Sequence, residues 1–152
     1  SIGGYTSWTN FSDKRFKNDI QENVPGLEFI LKLKPVTYHL NIAMINKSLG
    51  QEYNQDDAIR SGKENIVYTG FLAQDVEQAA KEIGFDFSGV DKPKNENGFY
   101  GLRYAEFTVP LVKAVQELHL KNIELQQTID NQNIKIFDLQ KQIDELKNLI
   151  NK

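Results

Sequence analysis

From Leu111 onward the apolar residues recur in alternating steps of four and three, and the register holds as far as Ile150. In heptad notation Val115, Asn122, Ile129, Ile136, Ile143 and Ile150 fall at a, and Leu111, Leu118, Leu125, Gln132, Leu139 and Leu146 at d. Ten of these twelve core positions are apolar. A heptad repeat sustained for this long specifies a helix whose apolar stripe is covered only by other helices, which is a coiled coil. At ~1.5 Å per residue, about 45 helical residues extend roughly 65–70 Å. A helix of that length cannot bury its stripe by itself and requires partners.

The core residues leave the number of strands open. Ile at a with Leu at d favours two, and Asn122 at an a position is a familiar device for fixing dimer register. The flanking positions argue the other way. Gln126, Asn133 and Gln140 at e, and Ala114, Thr128, Gln142 and Leu149 at g, offer few interhelical ion pairs. An apolar or neutral flank suits the wider core of three strands, with Asn122 and Gln132 as polar layers.

Upstream of Phe107 the pattern is that of a small α+β head. The stretch "SIGGYTSWT" reads as an edge strand or extended arm, and "VPGLEFILKLK" as a short helix with Leu27, Ile30 and Leu31 on one face and Pro25 near its first turn. "PVTYHLNI" is strand-like, residues 43–63 are polar and irregular with room for a helical turn or two, and "NIVYTGF" reads as a buried strand. "LAQDVEQAAKEIG" is an amphipathic helix stopped by Gly84, and residues 85–104 are two strands joined by a Pro/Asn/Gly loop. The expected organisation is an arm over 1–11, a head over 12–106 and the coiled-coil helix over 107–152.

Composition excludes several classes of function. Residues 111–152 carry six Lys and six Asp or Glu, so the net charge of −3 belongs to residues 1–110. No basic stripe is present, which argues against nucleic acid as a partner. The absence of cysteine removes disulfides, thiolate catalysis and most structural zinc sites. No cofactor or metal is expected, because no cluster of His, Asp and Glu has ligand spacing; Asp86–Asp91 only loosely resembles a calcium loop. No apolar run approaches the ~20 residues of a membrane span. The chain opens on Ser1 without a signal-peptide pattern, as expected of an excised or processed C-terminal piece.

His39 in a strand and His119 on the coil are too widely separated in sequence to suggest a triad. The one concentrated polar motif is "TNFSDKRFKNDI" over 9–20. On one reading Ser12 is a helix N-cap, Asp13 sits favourably at the positive helix end, and Lys14, Arg15 and Lys17 are a solvated face. On the other, Ser12 is a nucleophile and Lys17 its general base, since a serine–lysine pair performs acyl transfer without histidine when the amine is held neutral. The spacing admits both.

Four stretches in order, "SDKRFKNDI" (12–20), "LKLKPVTYHL" (31–40), "TGFLAQDVEQAA" (69–80) and "GLRYAEFTVPLVKAVQEL" (101–118), resemble the Peptidase S74 family. This is the intramolecular chaperone domain of phage endosialidases and tail spikes, also found at the end of bacterial tail-fibre-like surface proteins and in myelin regulatory factor. The resemblance covers about residues 10–120. It implies a parallel trimer through residues 107–152 that holds three upstream fibre-forming regions together. It further implies self-release by cleavage of the Phe11–Ser12 bond, with Ser12 as nucleophile, Lys17 as base, and Asp13 and Arg15 positioning the motif. The implied location is extracellular, cell-surface or virion tail, with assembly possible in the cytoplasm. A non-cleaving trimerisation cap of a surface fibre or adhesin is the alternative. In the transcription-factor member the DNA contacts lie in another domain, and the acidic head gives that role no support here.

Overall fold

The computed structural model of the chain describes residues 10–52, 62–96 and 98–151. The strand or arm expected over residues 1–9 lies outside the described residues.

Phenylalanines from separate stretches of the head decide where its core sits. Phe29, Val76, Ala79, Ala80, Phe87 and Phe107 form the buried cluster, with Phe71, Phe85, Val90 and Leu102 packed around it. Phe87 lies 4.9 Å from Phe29 and meets Phe107 edge-on at 4.8 Å between ring centres. Edge-on and offset contacts of this kind add roughly 0.5–1.5 kcal/mol per pair to the burial itself.

The elements that carry these rings are short. Helix α1 spans Leu27–Ile30, a single turn. Its core residue is Phe29; of the expected Leu27/Ile30/Leu31 face, Ile30 packs against the cluster and Leu27 is half-buried, but Leu31 is 77% exposed and is corrected. One turn has no room for a stripe, and the aromatic cluster takes the largest side chain available. Pro25 stands outside the turn, ahead of the capping position at Gly26.

Strand β1 (Val36–Tyr38) pairs antiparallel with β2 (Tyr68–Gly70), matching Val36 to Gly70 and Tyr38 to Tyr68. Both are shorter than expected. The strand expected over 35–42 stops early because Asn41 caps helix α2 (Ile42–Ser48), its side chain accepting the Met44 N–H at 2.9 Å. Asparagine is a strong N-cap, and here it outweighs the β propensity of Ile42. Nor is β2 buried: Ile66 and Val67 before it are exposed, and its own residues are at most half-buried.

Helix α3 (Ala73–Glu82) behaves as its periodicity predicts, turning Val76, Ala79 and Ala80 into the core. It ends at Gly84, whose φ of 66° lies in the left-handed region. The Gly84 N–H reaches the Lys81 carbonyl at 3.1 Å and the Phe85 N–H the Ala80 carbonyl at 2.9 Å. This is a Schellman ending, and it delivers Phe85 directly onto the cluster. Strands β3 (Val90–Asp91) and β4 (Gly101–Leu102) then form a second antiparallel pair.

A 3₁₀ turn over Tyr104–Phe107 leads into helix α4, Thr108–Ile150, a continuous run of 43 residues. Pro110 in its first turn removes an N–H that would have no partner there. Pro110 and Ala114 are buried where α4 crosses α1. The approach is close: a Cβ at Gly26 would come within 2.8 Å of the Ala114 backbone nitrogen. Glu117, one turn on, reaches across so that its Oε2 accepts the Leu27 N–H at 2.7 Å, capping α1 from outside. Beyond the head every heptad position of α4 is open in the single chain; Ile136 is 63% exposed and Leu139 56%.

Candidate active site

Residues 10–23 run over the surface and contain a single turn of 3₁₀ helix, Lys14–Phe16. Asp13, not Ser12, caps that turn: its Oδ1 accepts the Arg15 N–H at 2.9 Å. The same carboxylate grips the Arg15 guanidinium, with Nη2 at 2.7 Å from Oδ2 and Nε at 3.1 Å. This forked, charge-assisted contact holds the Asp13 carboxyl below the usual carboxylate range and pushes Arg15 upward. The pair lies open to water, so its value is geometric rather than energetic. The Arg15 guanidinium also lies over the Phe16 ring, 6.0 Å from its centre.

The turn closes at Lys17, which is extended (φ −119°, ψ 124°), its N–H bonded to the Lys14 carbonyl at 3.1 Å. A tight turn ended by an extended residue brings together side chains that a regular helix would hold apart. Lys17 Nζ accordingly lies 2.8 Å from Ser12 Oγ, a contact between residues five apart in the chain. With Asp13 as the cap, the Ser12 hydroxyl is free for it. Two residues on, Asp19 adopts a φ of 51°. Aspartate tolerates the left-handed region better than most residues, and the chain turns away from the site there.

A hydroxyl within hydrogen-bond reach of an amine, next to the backbone carbonyl on its own N-terminal side, can add to that carbonyl while the amine takes the proton. Phe11, which owns that carbonyl, is 97% exposed, and Ser12 and Lys17 are exposed as well. Of the other candidates, His39 follows β1 at the surface and His119 is exposed on α4. Among the described residues no three His, Cys, Asp or Glu side chains come together to hold a metal ion.

A second ionic centre was not visible from sequence. Glu77 on α3 is bridged by Lys81 at 2.8 Å and Lys92 at 3.0 Å, and accepts the Tyr100 hydroxyl at 2.8 Å. The hydrogen bond from Lys81, then those from Tyr100 and Lys92, lower the Glu77 carboxyl to about 2. Its partners come from one helix and from the segment around β3 and β4, so this is a clasp between elements. Only the Glu77/Lys81 spacing of four was readable in advance.

Residues 12–85 match the family model of Peptidase S74, described as chaperone of endosialidase. No curated protein and no solved structure matches the chain.

Proposed function

From its membership of the Peptidase S74 family, the chaperone of endosialidase, we propose that the chain gathers three copies of an upstream fibre-forming region and then releases itself by cutting Phe11–Ser12. Ser12 is the nucleophile and Lys17 the general base. The observation that carries this reading is the 2.8 Å approach of Lys17 Nζ to Ser12 Oγ, in a stretch where the family match begins at Ser12.

In the first step the Lys17 amine takes the hydroxyl proton as Ser12 Oγ bonds to the Phe11 carbonyl carbon. The Phe11–Ser12 C–N bond then breaks, and the Ser12 nitrogen takes up a proton and leaves as an amine. The product is an ester between the Phe11 acyl group and Ser12 Oγ. Water adds to that ester, giving a Phe11 carboxylate and restoring the Ser12 hydroxyl. Asp13 and Arg15 hold the turn so that residues 12 and 17 stay in register. They are positioning residues, not participants in the bond changes.

The assembly half of the proposal rests on α4. Its unbroken a and d positions form the trimer seam, covered by the same positions of two other copies in parallel. Tethering three chains raises their local concentration for a fold whose nucleation depends on association. Cutting afterwards removes the reverse route and leaves the fibre kinetically trapped. Among the described residues no helix is long and apolar enough to cross a membrane.

The test is a chain carrying its native upstream region, followed by intact-mass measurement. Cleavage between Phe11 and Ser12 is expected, with no cut product from Ser12→Ala or Lys17→Ala. A parent that stays whole like the two variants would leave the non-cleaving trimerisation cap as the function.

A further inference from the structure

Helix α4 carries apolar side chains on more than its a and d positions. Leu120, Ile123, Ile134 and Phe137 are 43–72% exposed and occupy the f and b positions of the same heptads. With 100° between successive residues, f and b lie about 150° around the helix from the a/d seam. The head covers a third direction, through Pro110 and Ala114. A trimer built on a and d therefore leaves this outer stripe in water. Outer coiled-coil positions are ordinarily polar, and four large apolar residues there call for a second contact.

The stripe reads Lys113, Gln116, Leu120, Ile123, Gln127, Asp130, Ile134, Phe137, Lys141, Asp144. Reversed against itself, it matches Leu120 to Phe137, Ile123 to Ile134, Gln127 to Asp130, and Lys113 to Asp144. Its steps of three and four are those that antiparallel helices need to bring f of one against b of the other. Parallel pairing of the same stripe would instead stack Asp130, Lys141 and Asp144 each against its own copy. Charge thus selects both the occupant and its direction.

We infer that the outer face of α4 pairs antiparallel with the same face of a second copy, joining two seam-built assemblies through their coils. This rests on the trimer reading for the number of chains, but not for the contact itself. The probe is the whole chain at rising concentration, studied by sedimentation equilibrium. Assemblies larger than three chains are expected at high concentration, falling to three in Phe137→Asp with helix content unchanged. Because the chain has no native cysteine, direction is read by mixing Leu120→Cys and Phe137→Cys chains and oxidising. The 120–137 crosslink is expected in excess over 120–120 and 137–137. A limit of three chains at every concentration overturns the outer pairing and leaves the trimer intact, and an excess of like crosslinks overturns the antiparallel direction. A two-chain limit that survives Ile136→Glu but not Phe137→Asp supports the outer pairing and overturns the trimer seam.

Discussion

Gly26 shows how much one residue decides in this head. It stands where α1 meets α4, and a Cβ there would sit 2.6 Å from Glu117 Oε2 and 2.8 Å from the Ala114 nitrogen. The glutamate tip can move, but the helix backbone cannot. Gly26→Ala is expected to destabilise the head by about 1–3 kcal/mol, the usual range for overpacking. Urea unfolding checks this as a lower midpoint at an unchanged slope. At the same scale, the serine–lysine contact was legible in part. The residue types and the spacing of five raised the possibility, but a cap and a nucleophile were both consistent with them. What takes the cap from Ser12 is the backbone after Asp13: a carboxylate that bonds the Arg15 N–H does the capping, and the Ser12 hydroxyl meets the Lys17 amine. A side-chain choice between two acceptors on adjacent residues leaves no trace in periodicity.

At the scale of elements, the clasp at Glu77 joins α3 to the β3/β4 region and makes part of the stability depend on acid. Its folded carboxyl, at about 2, lies below the ordinary glutamate value of 4.5. A depressed acid stabilises the fold above its unfolded pKa and loses that contribution as pH falls through the folded value. The clasp should therefore hold above about pH 4.5 and weaken progressively toward pH 2. Glu77→Gln is expected to lower stability at neutral pH and to flatten its fall across that window. Thermal unfolding followed at several pH values checks it; a variant with the wild-type slope would remove Glu77 as the cause. Helix α3 itself was readable, because its apolar face and its terminating glycine are both local signals. The strands were read too long. A strand three residues long is held by the aromatic cluster behind it, not by its own propensity, so its limits are set elsewhere in the chain.

Across the whole molecule, the head has a buried core while α4 projects with its apolar positions uncovered. On the proposed trimer, a helix of 43 residues in this condition owes its stability to the other copies more than to propensity. Ile136→Glu at a central a position is expected to dissociate the assembly and to lower its helicity. The head, whose buried cluster lies entirely within residues 29–107, should keep its near-ultraviolet aromatic signal. Sedimentation and circular dichroism on one sample measure both effects.

The repeat from Leu111 to Ile150 determined by itself that the chain ends in a long helix, because a period near 3.5 is satisfied by one conformation only. The terminating glycine and apolar face of α3 did the same for that helix. Which side chains form the head's core, and that Glu117 caps α1 across ninety positions of sequence, were decided by tertiary structure alone. The meeting of Ser12 with Lys17 was decided locally instead, by the single turn over Lys14–Phe16 and the extended Lys17 that ends it. The core and the cap on α1 depend on where separate segments come to rest against one another, and short elements with little intrinsic preference take their limits from that packing.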